Sequence, residues 1–534
     1  MAKESSKLAL IKKAFYIWAV QYHFVIPKRI LKMYIHKFRH ESANIAKYGQ
    51  RFYDPADPVQ YRKWLELREL PPEKKTCSIT FIGRSPKTSM QGYPYMCMPI
   101  VDSSKISTEY VGICGKDITL YPEFHLYCEN IEDADIIYTD FDHQVDGERQ
   151  DPILKPDFSY FALRQFDYVG PLYIVKKEIL VRFEGQDLNP YLWMLELSDQ
   201  NLKWKHISAI LYATEGQESY DYKAVSTYMD ECGLNASIVE NATHTAARVD
   251  YPLQGEPLVS IIIPTKDGVE VLRTCIDSIL AKSTYTNYEI LIADNNSTKE
   301  ETFQYFKQLE KNPKIHIVRI ETPFNFSLIN NRAIAQSHGD YIVMLNNDTE
   351  IITRDWLEKM LRYAQMPRCG SVGVKLYYED GTIQHGGVIA GKGGGFAHRY
   401  YRKPHDEKGY LHTMETVSEV ACSTAACLMI SRKKFDEVGG MNEELTVQFN
   451  DVDLGLKLYE HGYSNVWMPD VELYHYESKS RGIDKDKKSV DRFMSEVDYA
   501  KKHYAMYLEH DPFYNDQFDK NYDFMLKVGT GSNE

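Results

Sequence analysis

Between Asp340 and Glu350 the chain reads Asp-Tyr-Ile-Val-Met-Leu-Asn-Asn-Asp-Thr-Glu. The apolar run Tyr341 to Leu345 has the length of a buried strand. It stops abruptly at Asn346, Asn347, Asp348 and Glu350. In an open α/β sheet, ligands bind just past the carboxyl ends of the strands. Hard oxygen ligands gathered there suit a divalent cation that grips phosphates. The other reading is a polar turn closing a core strand, and the rest of the chain must decide between the two.

A site of that kind needs a sheet to carry it, and the chain from residue 258 onward supplies the pattern. Residues 258–264 form a nearly continuous apolar run, expected to be a buried parallel strand. Thr265, Lys266 and Asp267 follow, then a helix from 269 to 280. A second strand spans 288–293 and ends in Asp294-Asn295-Asn296-Ser297. A third covers 315–320, and a helix over 327–337 leads into the strand of the opening motif. Strand–helix alternation with polar residues at each strand end predicts a doubly wound nucleotide-binding sheet. No G-x-G-x-x-G follows the first strand, so a dinucleotide is not expected. Gly391-Lys392-Gly393-Gly394-Gly395 lacks the Gly-Lys-Ser/Thr ending of a phosphate loop and reads as a flexible loop able to act as a lid.

The 534 residues allow two or three domains with cores of their own. A net charge of −13 argues against nucleic acid as the main partner. Forty tyrosines, against 22 Phe and 6 Trp, offer the aromatic faces with polar edges that carbohydrate sites use, although Tyr is also a common core residue. The nine cysteines are scattered without a C-x-x-C pair. They read as reduced thiols of a cytoplasmic protein, not as a zinc site or disulfide framework.

The start of the chain is basic. Lys3, Lys7, Lys12, Lys13, Lys28, Arg29, Lys32, Lys37 and Arg39 face a single acid, Glu4, over the first forty residues. Leu8, Ile11, Phe15, Trp18 and Tyr22 recur at helical spacing among them. Such a helix either lies on an anionic membrane surface as a peripheral contact or packs on its own protein. The uncharged stretch from 14 to 27 is too short to span a bilayer.

Five segments in order carry a family resemblance. Ile261-Ile-Ile-Pro-Thr-Lys-Asp267, Ile292-Ala-Asp-Asn-Asn-Ser297 and Leu345-Asn-Asn-Asp348 resemble the nucleotide half of glycosyltransferase family 2, whose fold is GT-A. Phe449-Asn-Asp-Val-Asp-Leu-Gly-Leu-Lys457 resembles that family's acidic catalytic motif, and Leu473-Tyr-His-Tyr-Glu-Ser-Lys-Ser-Arg-Gly482 its His-containing segment. The pattern is most similar to two-module bacterial enzymes that build rhamnose-rich or O-antigen-type surface polysaccharides. The resemblance implies roles residue by residue. Thr265, Asp267 and Asp294 would bind the base and ribose of a dTDP- or UDP-sugar, and Arg332 matches a position that faces the nucleotide in some relatives. Asp348 and His475 would hold Mn²⁺ or Mg²⁺, and Asp451 would be the general base of an inverting transfer. Asn346-Asn347-Asp348 stands where many relatives have Asp-x-Asp, so one carboxylate is missing. Asp453 reads as an orienting or helix-capping residue. Cys422 to Ile430 looks like the segment beside the acceptor, and Gln384-His385-Gly386-Gly387 resembles a loop that is acceptor-side or structural. The implied acceptor is a lipid-linked saccharide at the cytoplasmic face of the membrane.

Residues 134–180 resemble the second half of another family 2 domain. Asp140 and Asp142, in Tyr138-Thr-Asp-Phe-Asp142, match a metal-binding pair, but no Asp follows the strand over 78–83 and Ala213 replaces the family's His. This implies a catalytically silent module; the alternative is a second active one. The expected organisation is a basic helical segment (1–75), a degenerate GT-A-like module (77–215), a helical linker (216–256), a catalytic GT-A domain (257–480) and a helical extension (481–534). A sugar-nucleotide pyrophosphorylase would carry a Gly-rich, Arg-containing loop where Thr265-Lys-Asp-Gly268 stands. A non-catalytic scaffold would have lost the acids that this chain keeps.

Overall fold

A computed structural model describes residues 52–527 apart from 69, 72–77, 85–88, 132, 216–219 and 478–486. The basic segment at the start of the chain and the end of the His-containing motif therefore lie outside the described residues. The chain divides into two compact units. Of the described residues, one unit holds Asp250 to Asp511; the other holds those up to Val249 together with those from Pro512 onward. Among the described residues, no helix is long and apolar enough to cross a membrane.

The N-terminal unit is an eight-stranded sheet. Its central strands are β1 (Ile79–Gly83), β2 (Tyr110–Cys114), β3 (Ile136–Val145), β4 (Leu172–Lys176) and β5 (Trp204–Thr214). They lie in the order β1-β2-β4-β3-β5. The β1/β2 and β3/β5 pairs are parallel, while β2/β4 and β4/β3 are antiparallel.

The second unit is a ten-stranded mixed sheet. Its strands are β6 (Val259–Thr265), β7 (Tyr288–Asp294), β8 (Ile315–Arg319), β9 (Tyr341–Leu345), β10 (Thr349–Ile351), β11 (Cys369–Tyr377), β12 (Ile383–His385), β13 (Cys427–Ser431) and β14 (Ser464–His475), with a two-residue strand on β14. The main path is β8-β7-β6-β9-β13-β11-β14-β10. The β8, β7, β6 and β9 strands are parallel, as the alternating pattern predicts. Beyond β9 the sheet departs from a purely parallel winding, because β13 enters antiparallel between β9 and β11.

Helix α1 (Val269–Lys282) buries Leu272, Cys275, Ile276 and Ile279, the spacing of one helical face. Helix α2 (Glu300–Leu309) precedes β8, and α3 (Phe326–Ile334) precedes β9. The core gathers Ile262, Leu291, Ile342, Met344 and Leu428 from the sheet. Against them pack Ile329 and Ala333 of α3, and Leu454 and Leu458 of α4 (Asn450–Glu460). Residues 391–395 are the turn between paired strands Val388–Ala390 and Phe396–His398, not an open loop. Gly391, Gly393 and Gly394 all take positive φ there, which explains the glycine run. Lys392 is buried and donates to the His398 carbonyl at 3.0 Å.

Candidate active site

The chain leaves β9 at Leu345, turns through Asn346 to Asp348 and pairs at once, as β10, with β14. Thr349 stands opposite His475 in that antiparallel register. The Tyr476 N–H donates to the Asp348 carbonyl at 2.8 Å, so the backbone fixes the two positions side by side. Asp348 Oδ1 consequently lies 3.2 Å from His475 Nε2, and the Asn346 side-chain amide reaches the same nitrogen at 3.2 Å. Asp348 and His475 are 5% and 9% exposed, so little water screens the pair. Burial opposes protonation of His475, but the Asp348 carboxylate outweighs it and raises the ring's pKa.

A carboxylate and an imidazole converging this closely fit Mn²⁺ or Mg²⁺, whose other positions diphosphate oxygens and water can fill. Among the described residues, no three His, Cys, Asp or Glu side chains gather as a metal site.

Asp451 sits in the first turn of α4, where Phe449 adopts a left-handed φ of 60°. Its Oδ2 accepts from the Ala425 N–H at 3.2 Å and its Oδ1 from the Val452 N–H at 2.9 Å. The next carbonyl, that of Ala426, accepts from the Asn346 N–H at 3.0 Å. Residues 425 and 426, leading into β13, thus tie Asp451 and the Asn346–Asp348 turn to one stretch of backbone. Burial pushes the Asp451 carboxyl above the usual carboxylate range, and the Ala425 N–H and Thr424 hydroxyl only partly offset it. The α4 backbone approaches closely because residue 455 is Gly: a Cβ there would lie 2.5 Å from Cys422 Cβ.

Asp453 does different work. It is buried, ion-paired to Lys457 Nζ at 2.8 Å, and accepts from Tyr504 Oη and from Asn442 Nδ2 at 3.3 Å. These contacts hold it within the protein.

Three of the residues expected at the nucleotide end stand at strand ends. Thr265 accepts from Asn347 Nδ2 at 3.0 Å, which joins β6 to the Asn346–Asp348 turn. Asp267, at φ 53°, takes the Thr298 and Lys299 N–H groups on Oδ1, both at 3.0 Å, and the Thr302 hydroxyl at 3.1 Å. It thereby caps α2 from a neighbouring loop. Asp294 is buried, receives the Ser297 N–H at 3.0 Å and pairs with Arg319, its partner in the β7/β8 register. Arg332 is not brought to this group. It is exposed on the last turn of α3, a helix that runs back toward the start of β9.

Sequence reasoning missed Gln384 of β12. Its Oε1 lies 2.7 Å from His475 Nδ1, and its Nε2 donates to the His475 carbonyl at 3.3 Å and to Glu477 Oε2 at 3.2 Å. Only its place in the Gln-His-Gly-Gly run hinted at a role.

The N-terminal unit repeats the strand path. Its β1, β2, β3, β4 and β5 follow the same chain order and the same parallel and antiparallel pairings as β6, β9, β11, β13 and β14. By that equivalence Asp117, three residues past β2, holds the position of Asp348. Thr214, opposite Ile118, holds that of His475, one residue beyond Ala213, to which the sequence motif assigns that place. Asp140 and Asp142 lie instead on β3, the counterpart of β11, so the topology does not support reading them as the metal pair. Asp140 is fully buried and accepts from the Lys155 N–H at 2.8 Å and from Asn515 Nδ2 at 2.9 Å, with His206 Nε2 at 2.8 Å. Asp142 accepts from Tyr61 Oη at 2.6 Å, Tyr121 Oη at 2.5 Å and Arg149 Nε at 2.6 Å. His206 gave no signal in the sequence; Asn515 closes the family-like segment Asp511-Pro-Phe-Tyr-Asn515, but only the fold brings either residue to Asp140.

The α/β architecture and the strand-end acids define a GT-A-like domain. Residues 260–439 match the model of Glycosyl transferase family 2, and this stretch is a domain of that family. The chain is 39% identical over 438 residues to the uncharacterized protein y4gI of Sinorhizobium fredii, covering 76% of this chain and 48% of that one. It is 34% identical over 443 residues to the O-antigen biosynthesis protein RfbC of Myxococcus xanthus, covering 76% of this chain and 33% of that one. Over 228 residues it is 25% identical to an N-acetylglucosaminyl-diphospho-decaprenol L-rhamnosyltransferase of Mycobacterium tuberculosis, covering 38% and 72% respectively. The chain therefore spans about half and a third of the lengths of the first two relatives.

Proposed function

We propose that the chain is an inverting, metal-dependent glycosyltransferase of bacterial surface polysaccharide synthesis. It would move a sugar, by resemblance rhamnose from dTDP-rhamnose, to a lipid-linked saccharide. One observation carries the reading: Asp451 and the turn bearing Asp348 hang on the adjacent residues Ala425 and Ala426. A buried acid with a raised pKa is thus joined, through two residues of backbone, to the turn that carries a buried carboxylate–imidazole pair. The relatives named for O-antigen biosynthesis and for rhamnosyl transfer support the donor and acceptor classes.

In this reading Asp451 takes the proton from the acceptor hydroxyl as that oxygen attacks the anomeric carbon. The diphosphate leaves from the opposite face, and the configuration inverts in one displacement. A divalent cation held by Asp348 and His475 would neutralise charge on the leaving diphosphate. Oδ2 of Asp267, with a single long contact of 3.4 Å to Thr298 Oγ1, is assigned to the imide N–H of uracil or thymine. Asp294 is assigned to the ribose side, and Arg332 has no role in this scheme.

The N-terminal module is assigned a non-catalytic role. It has Thr214 at the position of His475, and protein donors already surround Asp140 and Asp142. The work is placed at the cytoplasmic face of the membrane, with the basic start of the chain as a peripheral contact.

The test is hydrolysis of a panel of dTDP- and UDP-sugars with Mn²⁺, by the full chain and by Asp348→Ala. Turnover of one donor, lost in the variant, supports the reading. Absence of both turnover and Mn²⁺-dependent nucleotide binding would sink it in favour of a scaffold.

A further inference from the structure

Gln384 is not adjacent in sequence to any residue of the proposed site, yet its amide is held at both ends. Its Nε2 lies 3.3 Å from the His475 carbonyl and 3.2 Å from Glu477 Oε2. Both partners are acceptors, so the NH₂ group must point to them and the amide cannot be flipped. The other end, Oε1, is then forced against His475 Nδ1 at 2.7 Å. An amide oxygen can only accept, so Nδ1 must carry a proton. In the neutral ring that leaves the lone pair on Nε2, the nitrogen 3.2 Å from Asp348 Oδ1. Gln384 is 3% exposed, so water does not compete for these contacts. The β11/β12 pairing, which sets Leu376 opposite His385, fixes the residue's place in the sheet.

We infer that Gln384 is a positioning residue that selects the Nδ1–H tautomer of His475 and so presents Nε2 as a ligand to the cation shared with Asp348. The inference rests on the metal-dependent reading above. It gives Gln384 a role other than the acceptor-side or structural one that its Gln-His-Gly-Gly segment suggested. A ligating histidine is ordinarily fixed through its second nitrogen in this way, and loss of such a partner lowers metal affinity about tenfold to a hundredfold.

The test is Mn²⁺ affinity, measured from the electron paramagnetic resonance signal of free Mn²⁺ with UDP present. The full-length wild type is compared with Asp348→Ala, Gln384→Leu and Gln384→Glu. Gln384→Leu removes the acceptor at similar volume, while Gln384→Glu, held neutral by the Glu477 carboxylate it faces, keeps an oxygen for Nδ1–H and an O–H for the acceptors opposite. The expected result is binding by wild type, none by Asp348→Ala, a loss of about tenfold or more in Gln384→Leu, and affinity within about threefold of wild type in Gln384→Glu. A merely structural glutamine would not be rescued by Glu. If Gln384→Leu binds as wild type does, the inference falls while the metal reading stands. If wild type itself binds no Mn²⁺, the metal reading falls and takes the inference with it. Should Gln384→Leu fail to fold, long-range ¹H–¹⁵N spectra of the histidine rings in wild type decide, with His475→Gln locating the signal. A proton on Nδ1 supports the inference, and a neutral ring protonated on Nε2 overturns it.

Discussion

Asp451 is held by Ala425: the Ala425 N–H reaches Asp451 Oδ2 at 3.2 Å, one residue from the carbonyl that anchors Asn346. The carboxyl is therefore fixed in place but desolvated, and its pKa is raised. A raised pKa means that the folded state prefers the neutral acid. The associated stability is present below the unfolded value of about 3.9 and is lost as pH rises through the folded value. Asp451→Asn should therefore melt higher than wild type at pH 7 to 8, with the gain vanishing as pH falls toward about 4. The same variant should lose sugar transfer by roughly 10²-fold or more. Paired melting curves and donor-turnover assays check both; an unchanged rate would remove Asp451 from the mechanism.

Asp453 should behave in the opposite way. It is buried and paired with Lys457 at 2.8 Å. Asp453→Ala removes the acceptor shared by Lys457, Tyr504 and Asn442 and should cost about 1–3 kcal/mol of stability. Denaturant unfolding of the two variants side by side separates a catalytic acid from a structural one.

Gly455 should tolerate no side chain. A Cβ would meet Cys422 Cβ at 2.5 Å and the Ala421 carbonyl at 3.2 Å, and little there can yield. Gly455→Ala should push α4 off the strand, costing roughly 1–3 kcal/mol, and should lower turnover by displacing Asp451. Urea unfolding and turnover would both register it.

Removing divalent cations with EDTA should abolish donor hydrolysis, and Mn²⁺ or Mg²⁺ should restore it. Asp348→Ala should not be rescued at any concentration that saturates wild type, because the buried imidazole alone is a poor hold on a hard cation. Retention of activity after exhaustive chelation would refute the cation's role.

Asp117→Asn and Asn515→Ala test the N-terminal module. Asp117 stands at the counterpart of Asp348, and Asn515 donates to Asp140 at 2.9 Å. Both variants should leave donor hydrolysis within about twofold of wild type. Asn515→Ala should also melt lower, because it strips a buried carboxylate of a donor at a cost of about 1–3 kcal/mol. A large loss of turnover in Asp117→Asn would restore the two-active-module alternative.

The chain's local pattern determined much of the catalytic unit. Apolar runs bounded by polar residues marked β6, β7 and β9 within a residue or two, because a strand buried on both faces must be apolar along its length; the edge strand β8, exposed at His316 and Arg319, keeps a weaker pattern. Asp348 was singled out because it closes such a run, whereas His475 and Asp451 were singled out only through the resemblance of their segments to family motifs. Tertiary structure alone decided what those residues touch. The antiparallel entry of β13 between β9 and β11 brings Ala425 to Asp451, and no short-range pattern encodes which strand neighbours which. Pairing of β12 with β11 carries Gln384 to His475 across 91 positions of chain. Asn515 meets Asp140 across 375. Arg332 was the arginine expected at the nucleotide, but strand register sets Arg319 against Asp294 while Arg332 is exposed on α3. Residue type and spacing limit which chemistry is available; side chains distant in sequence become partners only when the sheet order is fixed.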